Sequence, residues 1–260
     1  MKNDISGAMR DFIRAANEIA TVWHIEARQW RELEAAVGRA RLNTPYGPDD
    51  RERFDLFHPA GRAKGMIVLL HGAEWPDMGR ETISHFAQGG VALGQAVAVP
   101  SWTIGGRTGL SAATGQIIAS LERAASMVEG PITVVGHGAG AWLATRLADP
   151  GAPLAVAVRA RIGAIAALSP VLDLRPLAEI ADEGRSEART TAPGERSPKG
   201  VEIPLGVWMA SAAPAALQDN ASALVASAPA SVPHTFPAGH FDIMETLRDP
   251  GSAVLQRLLA

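Results

Sequence analysis

The stretch Pro131–Leu147, PITVVGHGAGAWLATRL, decides the fold. Ile132–Val135 is a short β-branched run that reads as a buried strand. Gly136-His137-Gly138-Ala139-Gly140 makes a tight turn, and Ala141–Leu147 continues as a helix with Trp142, Leu143 and Leu147 at helical spacing. An α/β protein presents a nucleophile or a phosphate site where a strand, a glycine turn and a helix meet in this order. The turn matches G-x-S-x-G at every place except the serine, which is Gly138.

Outward from this stretch, strands alternate with helices. Arg53–Phe57, Met66–Leu70 and Ala96–Pro100 read as strands before it, and Ile162–Leu168, Ile203–Met209 and Val232–Phe236 as strands after it. Arg80–Leu93, Leu110–Glu129 and Pro214–Ser227 read as the intervening helices, and Asn43–Asp50 as a turn. This alternation predicts an α/β fold with a mainly parallel, doubly wound sheet between helical layers. Ligands in such sheets bind beyond the carboxyl ends of the strands. His71, Gly138, Asp173, Ala210–Ala213 and His240 all follow strand ends and are expected on one face.

The division expected is a helical segment, 1–40, and one α/β domain, 41–260. In Ile5–Val37 the residues Met9, Phe12, Ala16, Ile19, Trp23, Ala27, Trp30, Leu33 and Val37 form one apolar stripe. That stripe is expected to pack on the main domain, with a homodimer contact as the alternative. Residues 176–200 are charged, small and poor in large apolar side chains, which reads as a lid-like loop.

Composition narrows the function classes. A net charge of −3 gives no general attraction to nucleic acid or to an acidic membrane. With no cysteine, thiolate metal sites and a cysteine nucleophile are excluded. The start, MKNDISGAMR, has no apolar signal core, so a cytoplasmic protein of bacterial type is expected.

Two readings of the turn compete. Gly136-x-Gly138-x-x-Ala141 fits a dinucleotide fingerprint, but that motif belongs at a first strand with an acidic residue closing the second. Here three strands come earlier, and no acid stands at the usual interval. A nucleophile elbow accounts for more of the chain: His71-Gly72-Ala73 suits an oxyanion loop, and Gly239-His240-Phe241 suits the histidine segment after the last strand.

On these residues the chain resembles the kynurenine formamidase-like (arylformamidase-like) esterases of the α/β-hydrolase superfamily. The matching motifs are His71-Gly72-Ala73-Glu74-Trp75 for HGGYW, GHGAGAWL at 136–143 for GHSAGAHL, SPVLDLRPL at 169–177, and His240-Phe241-Asp242 leading into a helix. The resemblance spans roughly residues 40–250 and includes the Asn43–Pro59 region. It implies the α/β-hydrolase fold, no cofactor, and a triad of elbow serine, acid and histidine. It also implies oxyanion donors at the backbone N–H groups of Ala139 and of Gly72 or Ala73.

Most of that chemistry is absent. The nucleophile position is Gly138, and the acid position after Ile203–Met209 falls on Ala213, which leaves His240 as the remaining triad member. Losing the nucleophile alone costs roughly 10⁶ in turnover. The expectation is therefore a pseudoenzyme that binds a small aromatic or acyl-amide ligand or a partner. The alternative is an ester or aryl-formamide hydrolase using His240 with an activated water. Candidate binding residues are Gly72, Ala73, Glu74, Trp75, Gly138, Ala139, Trp142 and Phe241, the aromatic ones having core packing as their alternative. Glu74 either points to solvent or faces His240 across a water. Asp173 reads as structural, paired with Arg175. Ser101, Ser111 and Ser169 read as ordinary strand-end or cap serines. No metal site is expected from His71, Glu74, His137 and His240.

Overall fold

Met66–Leu70 (β3) and Ile132–His137 (β5) are buried along their whole length and lie side by side, parallel, at the centre of one sheet. Their side chains alternate between two cores, as the period of a strand requires. Met66, Val68, Leu70, Ile132 and Val134 face one way, against Ile117, Leu121 and Leu143. Ile67, Leu69 and Val135 face the other, against Trp23, Phe86 and Leu255. The structure, a computed structural model, describes residues 2–72, 78–102, 109–171, 203–228 and 230–260.

Six further strands complete the sheet: Ala40–Pro45 (β1), Arg53–Phe57 (β2), Ala96–Pro100 (β4), Ile162–Leu168 (β6), Leu205–Ala210 (β7) and Val232–Phe236 (β8). The order is β1-β2-β4-β3-β5-β6-β7-β8. The β1–β2 and β2–β4 pairs are antiparallel and the others parallel. From β3 the chain moves outward to β4, then returns to lay β5 on the other side of β3. The strand order reverses between β3 and β5, the place where open α/β sheets form their ligand crevice.

The helices are Lys2–Ala36 (α1), Arg80–Ile83 (α2), Gln88–Ala92 (α3), Gly109–Ala125 (α4), Ala139–Arg146 (α5), Val156–Arg159 (α6), Ala215–Ser227 (α7), Asp242–Glu245 (α8) and Ala253–Leu258 (α9). None is long and apolar enough to cross a membrane among the described residues. α1 docks through part of the expected stripe: Ala16, Trp23 and Ala27 are buried and Ile19 and Trp30 pack on the same side, whereas Leu33 and Val37 are exposed. The Trp23 ring is buried, meets Phe86 edge-on at 4.8 Å, and donates Nε1–H to Glu245 Oε1 at 3.2 Å. The Arg31 guanidinium pairs at 2.6 Å with Asp55, a fully buried carboxylate that also accepts from Ser84 Oγ and the Asn43 N–H.

Two elements differ from the sequence reading. The expected helix 80–93 is broken into α2, a 3₁₀ turn Ser84–Ala87, and α3. Gly89 and Gly90 allow the backbone to approach Leu247 and the Ile67 and Val97 side chains more closely than a Cβ permits. β1 lies where a turn was expected from Asn43 onward. It is an edge strand of alternating half-buried and exposed residues, with a register shift between Arg41 and Thr44 and Asn43 at φ 54°. Such a strand carries no apolar run to betray it. The lid-like reading of 176–200 lies outside the described residues.

Candidate active site

The elbow is built by packing too tight for side chains. A Cβ on Gly136 would overlap the Gly140 carbonyl, and one on Gly140 would overlap the carbonyls of Leu70 and His71. The first turn of α5 therefore sits directly on the end of β3. Between these glycines, Gly138 adopts φ 55°, ψ −120° at the start of α5. Its N–H bonds to Leu168 O at 3.2 Å and its carbonyl accepts from Val171 N–H at 3.0 Å, tying the turn to the end of β6. A sharp left-handed turn between a strand and a helix is the geometry of a nucleophile elbow. At this one its central residue has no side chain. Ala139 follows as the first residue of α5, where helix N–H groups lack intrahelical partners.

His71 closes β3 and is saturated by backbone. Its Nε2 accepts from the Trp102 N–H at 3.3 Å, so Nδ1 carries the proton and donates to Gly72 O at 2.5 Å. The ring stacks on Trp102 at 4.6 Å. Burial pushes its pKa down to about 3, with Arg51 acting in the same direction against the Gly72 hydrogen bond. The imidazole is therefore a neutral brace at the end of β3. Gly72 is buried beside it; Ala73, Glu74 and Trp75 lie outside the described residues, and so does the Glu74–His240 pairing expected from sequence.

His240 follows β8 and is 2 % exposed. Its carbonyl accepts from His137 Nε2 at 2.9 Å, and the two rings lie 4.3 Å apart, which brings His240 beside the residue preceding Gly138. Burial pushes the His240 imidazole down to about 3, so it is neutral. Its Nδ1 meets the Ser169 hydroxyl at 2.7 Å.

That contact corrects the reading of Ser169 as an ordinary strand-end serine. Ser169 is buried, adopts φ 42°, and precedes Pro170, a neighbour that favours extended backbone in the residue before it. Only Asn43 shares a positive φ among the described non-glycine residues. Strain of this kind collects at functional sites. Ser169 stands where an acid would address the histidine, at the end of β6. Ser101 keeps its structural role, holding the Arg80 N–H and guanidinium at 3.0 and 2.9 Å.

The other candidates are placed as follows. Ala213 lies just beyond β7, its N–H bonded to Ala210 O and its carbonyl accepting from Gln218. Phe241 is buried edge-on to His240 at 4.8 Å and contacts the Trp23 ring at 5.9 Å. Trp142 is buried in the core on the α4 side, with the Arg146 guanidinium over its ring at 5.6 Å. Among the described residues no three metal-binding side chains converge. Asp173 and Arg175 lie outside those residues. A separate groove of about 560 Å³ runs beside α1, lined in part by His24, Ile25, Arg51, Arg80 and Glu81; Gly138, Ser169 and His240 are not in its wall.

The sheet order, the elbow after β5 and the histidine after β8 are those of an α/β-hydrolase. The chain is 34% identical to the "putative thioesterase" of Silicibacter sp. TM1040, with 94% of each chain covered and a TM-score of 0.81. It belongs to the α/β-hydrolase superfamily. An esterase of Pyrobaculum calidifontis (16% identity, 92% of this chain and 91% of that one, TM-score 0.62) and esterase B of Lactobacillus rhamnosis (14%, 99% and 93%, 0.60) share the fold. No protein-family model and no curated protein matches the sequence. The dinucleotide reading is set aside, because the turn occupies the nucleophile position of this fold.

Proposed function

We propose that this α/β-hydrolase has lost serine acyl transfer and uses the old cleft to bind a small carbonyl-bearing molecule, aromatic or acyl-amide in character. The observation that carries this is Gly138, held in elbow geometry with no hydroxyl to become acylated. The backbone part of the site needs no side chain, and the Ala139 N–H remains a donor suited to a carbonyl oxygen. The motifs shared with kynurenine formamidase-like enzymes support the ligand class.

A second reading, hydrolysis by His240 with an activated water, is favoured by placement: the His240 ring lies 4.3 Å from that of His137, the residue before the elbow position. One experiment separates the two. Purified protein is assayed on N-formylkynurenine, aryl esters and thioesters, and the same compounds are tested for thermal stabilisation. Binding readings predict stabilisation without turnover. Turnover that disappears in His240→Gln would replace the first reading with the second.

A further inference from the structure

We infer that Ser169 holds His240 with its proton on Nε2, the reverse of the tautomer that a histidine base needs. This deepens the proposed function and rests on that reading of the cleft. Ser169 Oγ lies 2.7 Å from His240 Nδ1, and both residues are 2 % exposed. Among the described residues Nδ1 is the one hydrogen-bond partner of that oxygen.

A hydroxyl has one proton and a neutral imidazole has one. Were the imidazole proton on Nδ1 and given to Oγ, the hydroxyl proton would be buried without an acceptor, which is unfavourable. With the hydroxyl proton in the bond, Ser169 donates to the Nδ1 lone pair and the ring proton sits on Nε2. A catalytic triad has the reverse arrangement. There a carboxylate accepts from Nδ1–H, and Nε2 keeps the lone pair that takes the nucleophile's proton.

The backbone aims the hydroxyl. The Ser169 N–H is bonded to Trp208 O at 2.8 Å, and two residues on the Val171 N–H is bonded to Gly138 O at 3.0 Å. These bonds on either side hold Ser169 at φ 42°. With the ring proton on Nε2, that nitrogen has no lone pair to take a proton, which opposes hydrolysis by a histidine base.

The test is ring-nitrogen NMR on protein carrying ¹⁵N-labelled histidine, with the His240 signals identified by their loss in His240→Gln. The expected result is a proton on Nε2 and a bare Nδ1. Ser169→Asp replaces the donor by an acceptor and is expected to bring a proton to Nδ1, while the His71 signals stay in place. A wild-type ring protonated on Nδ1 would overturn the inference, and the wild-type spectrum alone decides this if the variant fails to fold. A bare Nδ1 in Ser169→Asp would also overturn it. Acylation of a serine would instead overturn the proposed function, so the two failures are distinguishable.

Discussion

His71 and His240 stand at the ends of β3 and β8, both buried and both held neutral, but they are anchored by different kinds of group. The His71 ring is bonded on both nitrogens to backbone, Gly72 O and Trp102 N–H. The Nδ1 of His240 is bonded to a side chain, Ser169. Backbone partners survive most substitutions, whereas a side-chain partner changes with one codon. The oxyanion half of a hydrolase site is built in the first way and the proton-transfer half in the second. A chain that drifts therefore keeps the shape of the site after its chemistry has gone.

The largest effect expected from breaking this contrast is catalytic. Gly138→Ser supplies a nucleophile but leaves His240 a donor. Adding Ser169→Asp puts a carboxylate beside Nδ1, at a backbone angle that aspartate tolerates. The double variant should exceed the single one by about 10³–10⁴ in aryl-ester turnover, the scale of a wrong histidine tautomer in a triad. Equal rates would show that Ser169 does not govern the proton.

Next comes acid. Burial pushes the pKa values of His71, His240 and His85 down to about 3, with Arg248 adding to the effect at His85. Between about 6.5 and 3 the unfolded chain binds protons that the native state refuses, so stability falls as pH drops. Well below 6.5 each histidine contributes up to about 1.4 kcal/mol per pH unit, and above 6.5 none does. Urea midpoints at pH 8, 7, 5.5 and 4.5 check this: the first two should agree and the last two should fall.

Substitutions at His71 and at Ser169, the partner of His240, sharpen the comparison on a smaller scale. His71→Ala leaves buried Gly72 O and Trp102 N–H unpartnered and removes a stacked ring, for about 3 kcal/mol. Ser169→Ala deletes one hydrogen bond, for about 1 kcal/mol, and relieves nothing at φ 42°. Urea unfolding of the two variants should rank them in that order.

Much of the fold was legible in the sequence because the inner strands Met66–Leu70, Ala96–Pro100 and Ile162–Leu168 are apolar runs. Arg53–Phe57, Met66–Leu70, Ala96–Pro100, Ile162–Leu168 and Val232–Phe236 occur where the pattern puts them. β1 was not legible, since an edge strand with one wet face lacks such a run. The elbow was legible from Gly136 and Gly140, which backbone overlap forces to be glycine. The partner of His240 was not. Ser169 is 71 residues away in sequence, and its meeting with His240 depends on β6 and β8 lying on the same side of β5. The one local hint was a serine and proline directly after a buried strand next to the elbow.

The central claim, that no residue of this site can be acylated, is tested most directly by intact-mass measurement after incubation with a fluorophosphonate. The wild-type protein should keep its mass, and Gly138→Ser/Ser169→Asp should gain one adduct at residue 138. A wild-type adduct on Ser169, lost in His240→Gln, would contradict the account.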